Sequence, residues 1–223
     1  MSRNDANGPP AVDRKELARN PPSPSEVWPR SDRRVARLQS ALRRRQPDAT
    51  VVLENVHDIY NVSAVLRTCD AVGVPEIHLV YTADDPPRGR FARRVAAGAA
   101  KWVDSVRWSS INACYDHLRD RGMVILATDF SELASSIHET DLTGPVALVY
   151  GNEMRGLSSE AISGADSEIC IPMMGMVQSL NISVSCAVTL YELQRQRAAV
   201  GGYDSPKLSE DAMQEQLHLW LKK

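Results

Sequence analysis

The sequence predicts an α/β protein built on a mainly parallel sheet. Three observations carry this. Short apolar runs alternate with amphipathic stretches between residues 51 and 197. The apolar runs are nearly continuous, as strands covered on both faces require. Gly73, Gly122 and Gly151 fall where these elements should end or turn.

Residues 1–30 are rich in Pro, Asn, Ser and charge, with PPSPS at 21–25, and are expected to be a disordered tail. Residues 31–47 are expected to be a basic N-terminal helix: Val35, Leu38 and Leu42 stand at helical spacing among arginines, and Pro47 is the stop. Val51–Val56 is a predicted strand. Val62, Val65, Leu66, Cys69 and Val72 mark one face of a helix, capped near Asn61 or Ser63 and ended by Gly73. Ile77–Tyr81 is the next strand. Residues 83–101 read as irregular, small and basic. Val103–Trp108, Met123–Thr128, Val146–Tyr150 and Glu168–Ile171 are further strands. Helices are expected at Ile111–Arg121, at Ser158–Ser163 and over 180–197, with a short helical piece at Glu132–Glu139. Residues 201–223 form a C-terminal extension. In it Ser209 caps a helix whose stripe is Met213, Leu217, Trp220 and Leu221. The main domain is thus expected over 48–200.

The 223 residues carry a net charge of −2, so no global basic signature exists. The distribution is more informative. Residues 30–45 hold seven arginines and one acid, and residues 86–103 hold five basic residues and no acid. Such patches suit either a phosphate-rich partner or a solvated helix face. Cys69, Cys114, Cys170 and Cys186 form no CxxC pair, and the five histidines are scattered without metal-ligand spacing, so no metal is expected. Apolar surroundings suit free thiols in a reducing cytosol, and a cytoplasmic location is expected. The first residues lack the apolar core of a secretory signal, and no run approaches the roughly 20 apolar residues of a membrane span.

Three constellations carry chemistry. On the helix after the first strand, Arg67 lies almost opposite the apolar stripe, beside Ser63 and Asp70. It is either a surface arginine paired with Asp70 or one aimed at a phosphate or developing oxyanion. Directly after a strand stands Gly151-Asn152-Glu153-Met154-Arg155-Gly156, where glycine lets backbone approach a ligand. It is neither a Walker A loop nor GxGxxG, which disfavours a nucleotide-dependent oxidoreductase. The third, Ile171–Glu192, reads IPMMGMVQSLNISVSCAVTLYE. It puts Ser179 and Asn181 at a helix N-terminus beside a strand end, where free N–H groups and ligands meet. The helix is apolar on two sides: Ile182, Cys186, Leu190 and Leu193 on one, Val184, Ala187, Val188 and Tyr191 on the other. Ser185, Thr189 and Glu192 leave only a narrow polar strip. Such a helix is either central to a core or shared with a second subunit.

Together the segments Asn61–Asp70, Leu148–Gly156 and Ile171–Glu192 resemble the three ordered motifs of the SPOUT (SpoU/TrmH) family of RNA 2′-O-ribose methyltransferases. The likeness runs from about Ser31 to Lys223. It is greatest to the tRNA-modifying branch, on LRRRQPDATVVLENVHDIYN, GMVQSLN, YELQRQR, GGYDSPKL and the WLKK ending. The resemblance implies an α/β knot with a deep C-terminal trefoil around Leu148–Leu193, an exception to unknotted topology. It implies S-adenosylmethionine as cofactor, leaving as S-adenosylhomocysteine and held near Thr128, Gly151, Ile171, Met173 and Leu180. It implies a homodimer with active sites at the interface. The implied reaction is methylation of a ribose 2′-oxygen in tRNA, at guanosine 18 of the D-loop. A ribosomal RNA substrate, or a knot that only binds RNA, are the alternatives.

The implied site is Asn61, Arg67, Glu153, Ser179 and Asn181. Arginine stays protonated, its pKa being above about 12, so Arg67 suits binding of an RNA phosphate and stabilising the nascent alkoxide better than taking a proton. Asn61 would orient the hydroxyl or phosphate, Ser179 and Asn181 would fix the loop and the opposing arginine, and Glu153 would buttress the cofactor loop. Arg43, Arg44, Arg45, Arg93, Arg94 and Lys101 would grip RNA phosphates, which position rather than specify. Arg155 departs from residues common in the family at that place, including Trp.

Overall fold

The computed structural model describes residues 32–82 and 98–223. Arg93, Arg94 and the expected tail lie outside them. The chain divides between Ala36 and Arg37 into two compact units. Of the first, residues 32–36 are described, and they open helix α1 (Asp32–Leu42). The second unit, residues 37–223, carries the sheet.

Seven strands form that sheet: β1 (Ala49–Glu54), β2 (Glu76–Val80), β3 (Asp104–Trp108), β4 (Val124–Thr128), β5 (Ser135–Ser136), β6 (Val146–Tyr150) and β7 (Ser167–Cys170). Their order is β3-β2-β1-β6-β4-β7-β5 and every pairing is parallel. Three helices lie between strands, α2 (Ile59–Val72), α3 (Ile111–Asp120) and α4 (Ser159–Gly164), and two follow the last strand, α5 (Ile182–Ala199) and α6 (Glu210–Leu221). The expected α/β class with a parallel sheet is therefore the observed one.

Why the strands read as continuous apolar runs is now visible. Val51 and Leu53 of β1 join a core with α2 and α5, whereas Val52 joins a second core with α3 and α4. Leu148 and Val149 of β6 divide in the same way. Both faces of the sheet are covered at β1 and β6, so the central run of β1 and all of β6 are apolar. In the first core, Cys69 and Cys186 are buried, and desolvation pushes both thiols up, Cys186 to about 12, which leaves them unreactive.

The ends of α2 are set locally. Asp58 is the N-cap, its side chain accepting from the Tyr60 N–H at 2.8 Å, so the cap precedes the expected Asn61 or Ser63. Such a cap stabilises by about 1 kcal/mol. Gly73 closes the helix at φ 91°, as expected, and also lets the chain at Arg44 press close: an added Cβ would come within 2.5 Å of the Arg44 carbonyl oxygen.

Three expectations are corrected. Residues 132–139 form no helix; Ser135–Ser136 pairs instead with β7, and Ile137 donates its N–H to the Cys170 carbonyl at 2.9 Å. Helix α1 ends at Leu42, not at Pro47. Arg45 does not present itself to RNA. It is 2% exposed, and its guanidinium donates to Asp70 Oδ1 (2.8 Å), to the Trp102 carbonyl (3.0 Å) and to the Val74 carbonyl (3.2 Å). Leu38, Leu42 and Trp220 make a third cluster with Trp102, Leu217 and Leu221, docking α6 beside α1.

Arg197, near the end of α5, is fully buried. It donates to the carbonyls of Leu142, Gly144 and Asp48, to Gln46 Oε1 and to Asp48 Oδ1, at 2.5–3.3 Å. One side chain thus ties the approach to β1 to the approach to β6. Its planar fork satisfies all these acceptors at once, which a point-charged lysine could not.

Candidate active site

The carboxyl ends of β4, β6 and β7 open onto a cavity of about 480 Å³. That size suits a small organic cofactor. Its position at strand carboxyl ends is where parallel α/β sheets place ligands. Thr128, Gly151, Ile171, Met173 and Leu180 all line it, as do Glu153, Ser179 and Asn181. Eight of the residues singled out from sequence therefore share one cleft.

Each wall has a local cause. Thr128 ends β4, and its hydroxyl donates to the Val149 carbonyl at 2.7 Å, locking that wall to β6. Gly151 follows β6 directly. A Cβ there would overlap the backbone of Gly156 and Leu157, so only glycine permits this loop. The loop itself is a tight bridge: Asn152 N–H donates to the Gly156 carbonyl (3.0 Å) and Gly156 N–H to that of Asn152 (2.8 Å). Asn152 also donates its amide to the Asn55 carbonyl at 2.8 Å. Asn55 sits at φ 52°, a left-handed backbone tolerated by asparagine, at the exit of β1. Beyond the loop, Glu54 accepts from Ser158 N–H (2.8 Å) and Ser158 Oγ (2.6 Å). The loop is thus pinned at both ends to β1.

The third wall is the segment into α5. Asn181 is the N-cap of α5, its Oδ1 accepting from Ser183 N–H at 2.9 Å and Ser183 Oγ at 2.6 Å. Its amide donates to Asn61 Oδ1 at 3.2 Å, and the Asn61 amide donates to Glu153 Oε1 at 2.6 Å. Three motifs distant in sequence are joined by this one chain of hydrogen bonds. Asn61 itself does not line the cavity; it reaches the site through its two partners.

Arg67 stands apart. It is exposed on α2, is not among the residues lining the cavity, and has no ion pair among the described residues. The reading that paired it with Asp70 is corrected, since Asp70 is held by Arg45. Arg43, Arg44 and Lys101 are exposed. Sequence reasoning missed Asn152 as a loop anchor and missed Ser185 and Thr189 as cavity residues. Their shared i, i+4 place in the polar strip of α5 was the available signal. That strip is not a solvent face: Thr189 is fully buried, and Glu192 is 8% exposed, held by Arg195 at 2.8 Å and by Gln196.

A match to the model of the SpoU rRNA Methylase family covers residues 48–191. The chain belongs to that family. It is 45% identical over 194 residues to the tRNA (guanosine(18)-2′-O)-methyltransferase of Thermus thermophilus, covering 87% of this chain and 98% of the relative. The Escherichia coli enzyme of the same name is 47% identical over 170 residues, covering 76% and 73%. Among solved structures, the Aquifex aeolicus TrmH/SpoU tRNA modifying enzyme superimposes with a TM-score of 0.79 at 38% identity, covering 85% of this chain and 95% of that one. The SpoU methyltransferase AviRb of Streptomyces viridochromogenes, in complex with AdoMet, gives 0.62 at 25% identity, covering 70% and 62%.

Proposed function

We propose that the chain is an S-adenosylmethionine-dependent methyltransferase acting on a ribose 2′-hydroxyl of tRNA, at guanosine 18. The observation that carries this is the hydrogen-bonded chain Glu153–Asn61–Asn181 at the mouth of a cofactor-sized cavity. The names of relatives that align over most of the chain support the substrate.

The cavity fits the cofactor. Gly151 leaves backbone bare where any side chain would collide. The Tyr150 hydroxyl is buried at the cavity wall, beside Thr189 and Cys186 of α5. When bound, S-adenosylmethionine supplies an electrophilic methyl group. Thr128, Gly151, Ile171, Met173 and Leu180 would hold it. Among the described residues no cluster of His, Cys, Asp and Glu could hold a metal, and no helix is long and apolar enough to cross a membrane.

The remaining work falls to the chain's own polar groups. An alcohol is a weak nucleophile and must be oriented and share its proton as the bond forms. Arg67 would bind the neighbouring phosphate and stabilise the alkoxide, with a phosphate oxygen or water accepting the proton. Asn61, fixed by Glu153 and Asn181, would orient the hydroxyl. Ser179 would shape the loop. Arg67 is not in the cavity of its own subunit, and Val184, Val188 and Tyr191 leave an exposed apolar row on α5. Both facts support a homodimer with sites at the interface, one subunit lending its arginine to the other. The trefoil knot, a cytoplasmic setting and RNA contacts from Arg43, Arg44 and Lys101 complete this reading.

The test is methylation of an unmodified tRNA pool with labelled S-adenosylmethionine, followed by mapping of the labelled nucleotide. Label at the guanosine 18 ribose is expected. Label confined to ribosomal RNA in a parallel reaction would defeat the tRNA assignment. Arg67→Ala should abolish transfer while cofactor affinity stays nearly intact; near-normal turnover would remove Arg67 from the mechanism.

A further inference from the structure

The basic run at 43–45 splits on folding. Arg43 and Arg44 remain exposed, whereas Arg45 is almost wholly enclosed. Its contacts come from three separate parts of the chain. Asp70 lies on α2, and the Val74 carbonyl lies just after that helix. The Trp102 carbonyl comes directly after a 3-10 turn at Ala99–Lys101, and the Trp220 ring of α6 lies 5.0 Å from the guanidinium carbon. Trp102 meets Trp220 edge-on at 5.0 Å. One planar fork here serves a carboxylate and two carbonyls beneath an aromatic ring.

Asp70 is the consequential partner. It stands three residues after Arg67, one turn along the same helix, where side chains are neighbours about 5–6 Å apart. Its side chain is 36% exposed, so it is within reach of solvent and of Arg67. Yet the arginine that holds it comes from a distant part of the chain, and Arg67 is left with no ion pair among the described residues. We propose that Arg45 is a positioning residue: by occupying Asp70 it keeps Arg67 unpaired for the RNA, and Trp220 of the C-terminal helix holds Arg45 to that task. The inference rests on the role of Arg67 in binding phosphate. It also gives α6 a part in turnover distinct from any contact with tRNA.

The experiment compares full-length Arg45→Gln, Arg45→Lys, Asp70→Asn and Arg45→Gln/Asp70→Asn, measuring turnover, KM for tRNA, affinity for S-adenosylhomocysteine and melting temperature. Arg45→Gln frees Asp70 to hold Arg67, and turnover should fall about two- to fivefold, the range over which an exposed ion pair shifts a population. Cofactor affinity should not change. The loss should shrink as salt is raised, because an exposed pair is screened. Asp70→Asn alone should leave turnover near that of the parent. The double variant should regain turnover while melting no higher than Arg45→Gln. A double variant as slow as Arg45→Gln would overturn the proposal and leave Arg45 a purely structural group. Should Arg45→Gln not fold, Arg45→Lys decides: it keeps a cation against Asp70 and should hold turnover within about twofold, and a larger loss at unchanged melting temperature overturns the proposal. Arg67→Ala, run in parallel, separates the two readings. Retained turnover there removes the role of Arg67 itself, whatever the Arg45 variants do.

Discussion

Replacing Gly151 with alanine adds a single methyl group at the most constrained point of the cavity. Built on the existing backbone, that carbon would overlap the Gly156 carbonyl group and the Leu157 nitrogen. These are backbone atoms, so no rotamer change relieves the contact. Ordinary packing requires a shift of about 1 Å or more. The loop cannot shift freely, because the paired Asn152–Gly156 hydrogen bonds and the Glu54–Ser158 bonds hold both its ends. Loss of two net hydrogen bonds costs about 1–3 kcal/mol, and overpacking alone costs about the same. A penalty of about 2–4 kcal/mol results, and it must appear in one of two measurements. If the loop holds, the protein melts lower by about 5–15 °C, at about 2–4 °C per kcal/mol for a chain of this size. If it yields, the cavity deforms and S-adenosylhomocysteine binds about 30- to 700-fold more weakly by calorimetry, each tenfold being about 1.4 kcal/mol. An alanine variant with unchanged melting and affinity within about twofold of the parent would refute the account of Gly151.

Other contacts carry their own expected outcomes. Arg197→Met leaves Asp48 with Lys207 as its remaining ion-pair partner and takes the donor from the Leu142 and Gly144 carbonyls, and it should destabilise by about 3–5 kcal/mol in urea titration; a change under about 1 kcal/mol would show that the clasp is dispensable. Val184, Val188 and Tyr191 are 46%, 37% and 54% exposed. Covering them would bury about 200 Å² per subunit, contributing about 5 kcal/mol each, so Tyr191→Glu should yield monomers in sedimentation and abolish methyl transfer. A variant that stays dimeric would place the interface elsewhere. Glu76 is held at about 2, below its usual 4.5, by His78 at 3.3 Å and Arg121 at 2.8 Å against the opposing effect of burial. A depressed carboxylate stabilises fully above about pH 4.5, and that contribution is lost as pH falls toward 2. Glu76→Gln should therefore cost about 1–2 kcal/mol at pH 7, screening included, and nothing near pH 2. An equal loss at both pH values would contradict it.

What the sequence revealed depended on whether the deciding contact was local. Strand β6 was legible to the residue, because five apolar positions stand between Pro145 and Gly151. The end of α2 was legible because Gly73 adopts the left-handed conformation the pattern required. The five residues assigned to the cofactor through the family resemblance all line one cavity. Failures were non-local. Residues 132–139 have helical composition, but pairing of Ser135 and Ser136 with β7 overrides it. Arg45 is indistinguishable from Arg43 and Arg44 in a charge count. What separates it is Trp102 and Trp220, 57 and 175 residues further along the chain. The joining of Asn61 to Glu153 and Asn181 spans 92 and 120 residues and leaves no periodic trace.

The parallel pairing of β1 with β6 has a consequence for synthesis on the ribosome. Strand β1 is made early, but its neighbour begins at Val146, and Arg197, which clasps the approaches to both, comes later still. The first half of the nascent chain therefore holds β1 with one open edge, a state prone to wrong pairings. The cleft itself needs Ile171–Asn181 for its third wall. A ribosome-bound chain can thus display its early basic segments while still lacking a complete cofactor site, so methyl-transfer competence arrives only with the last third of translation.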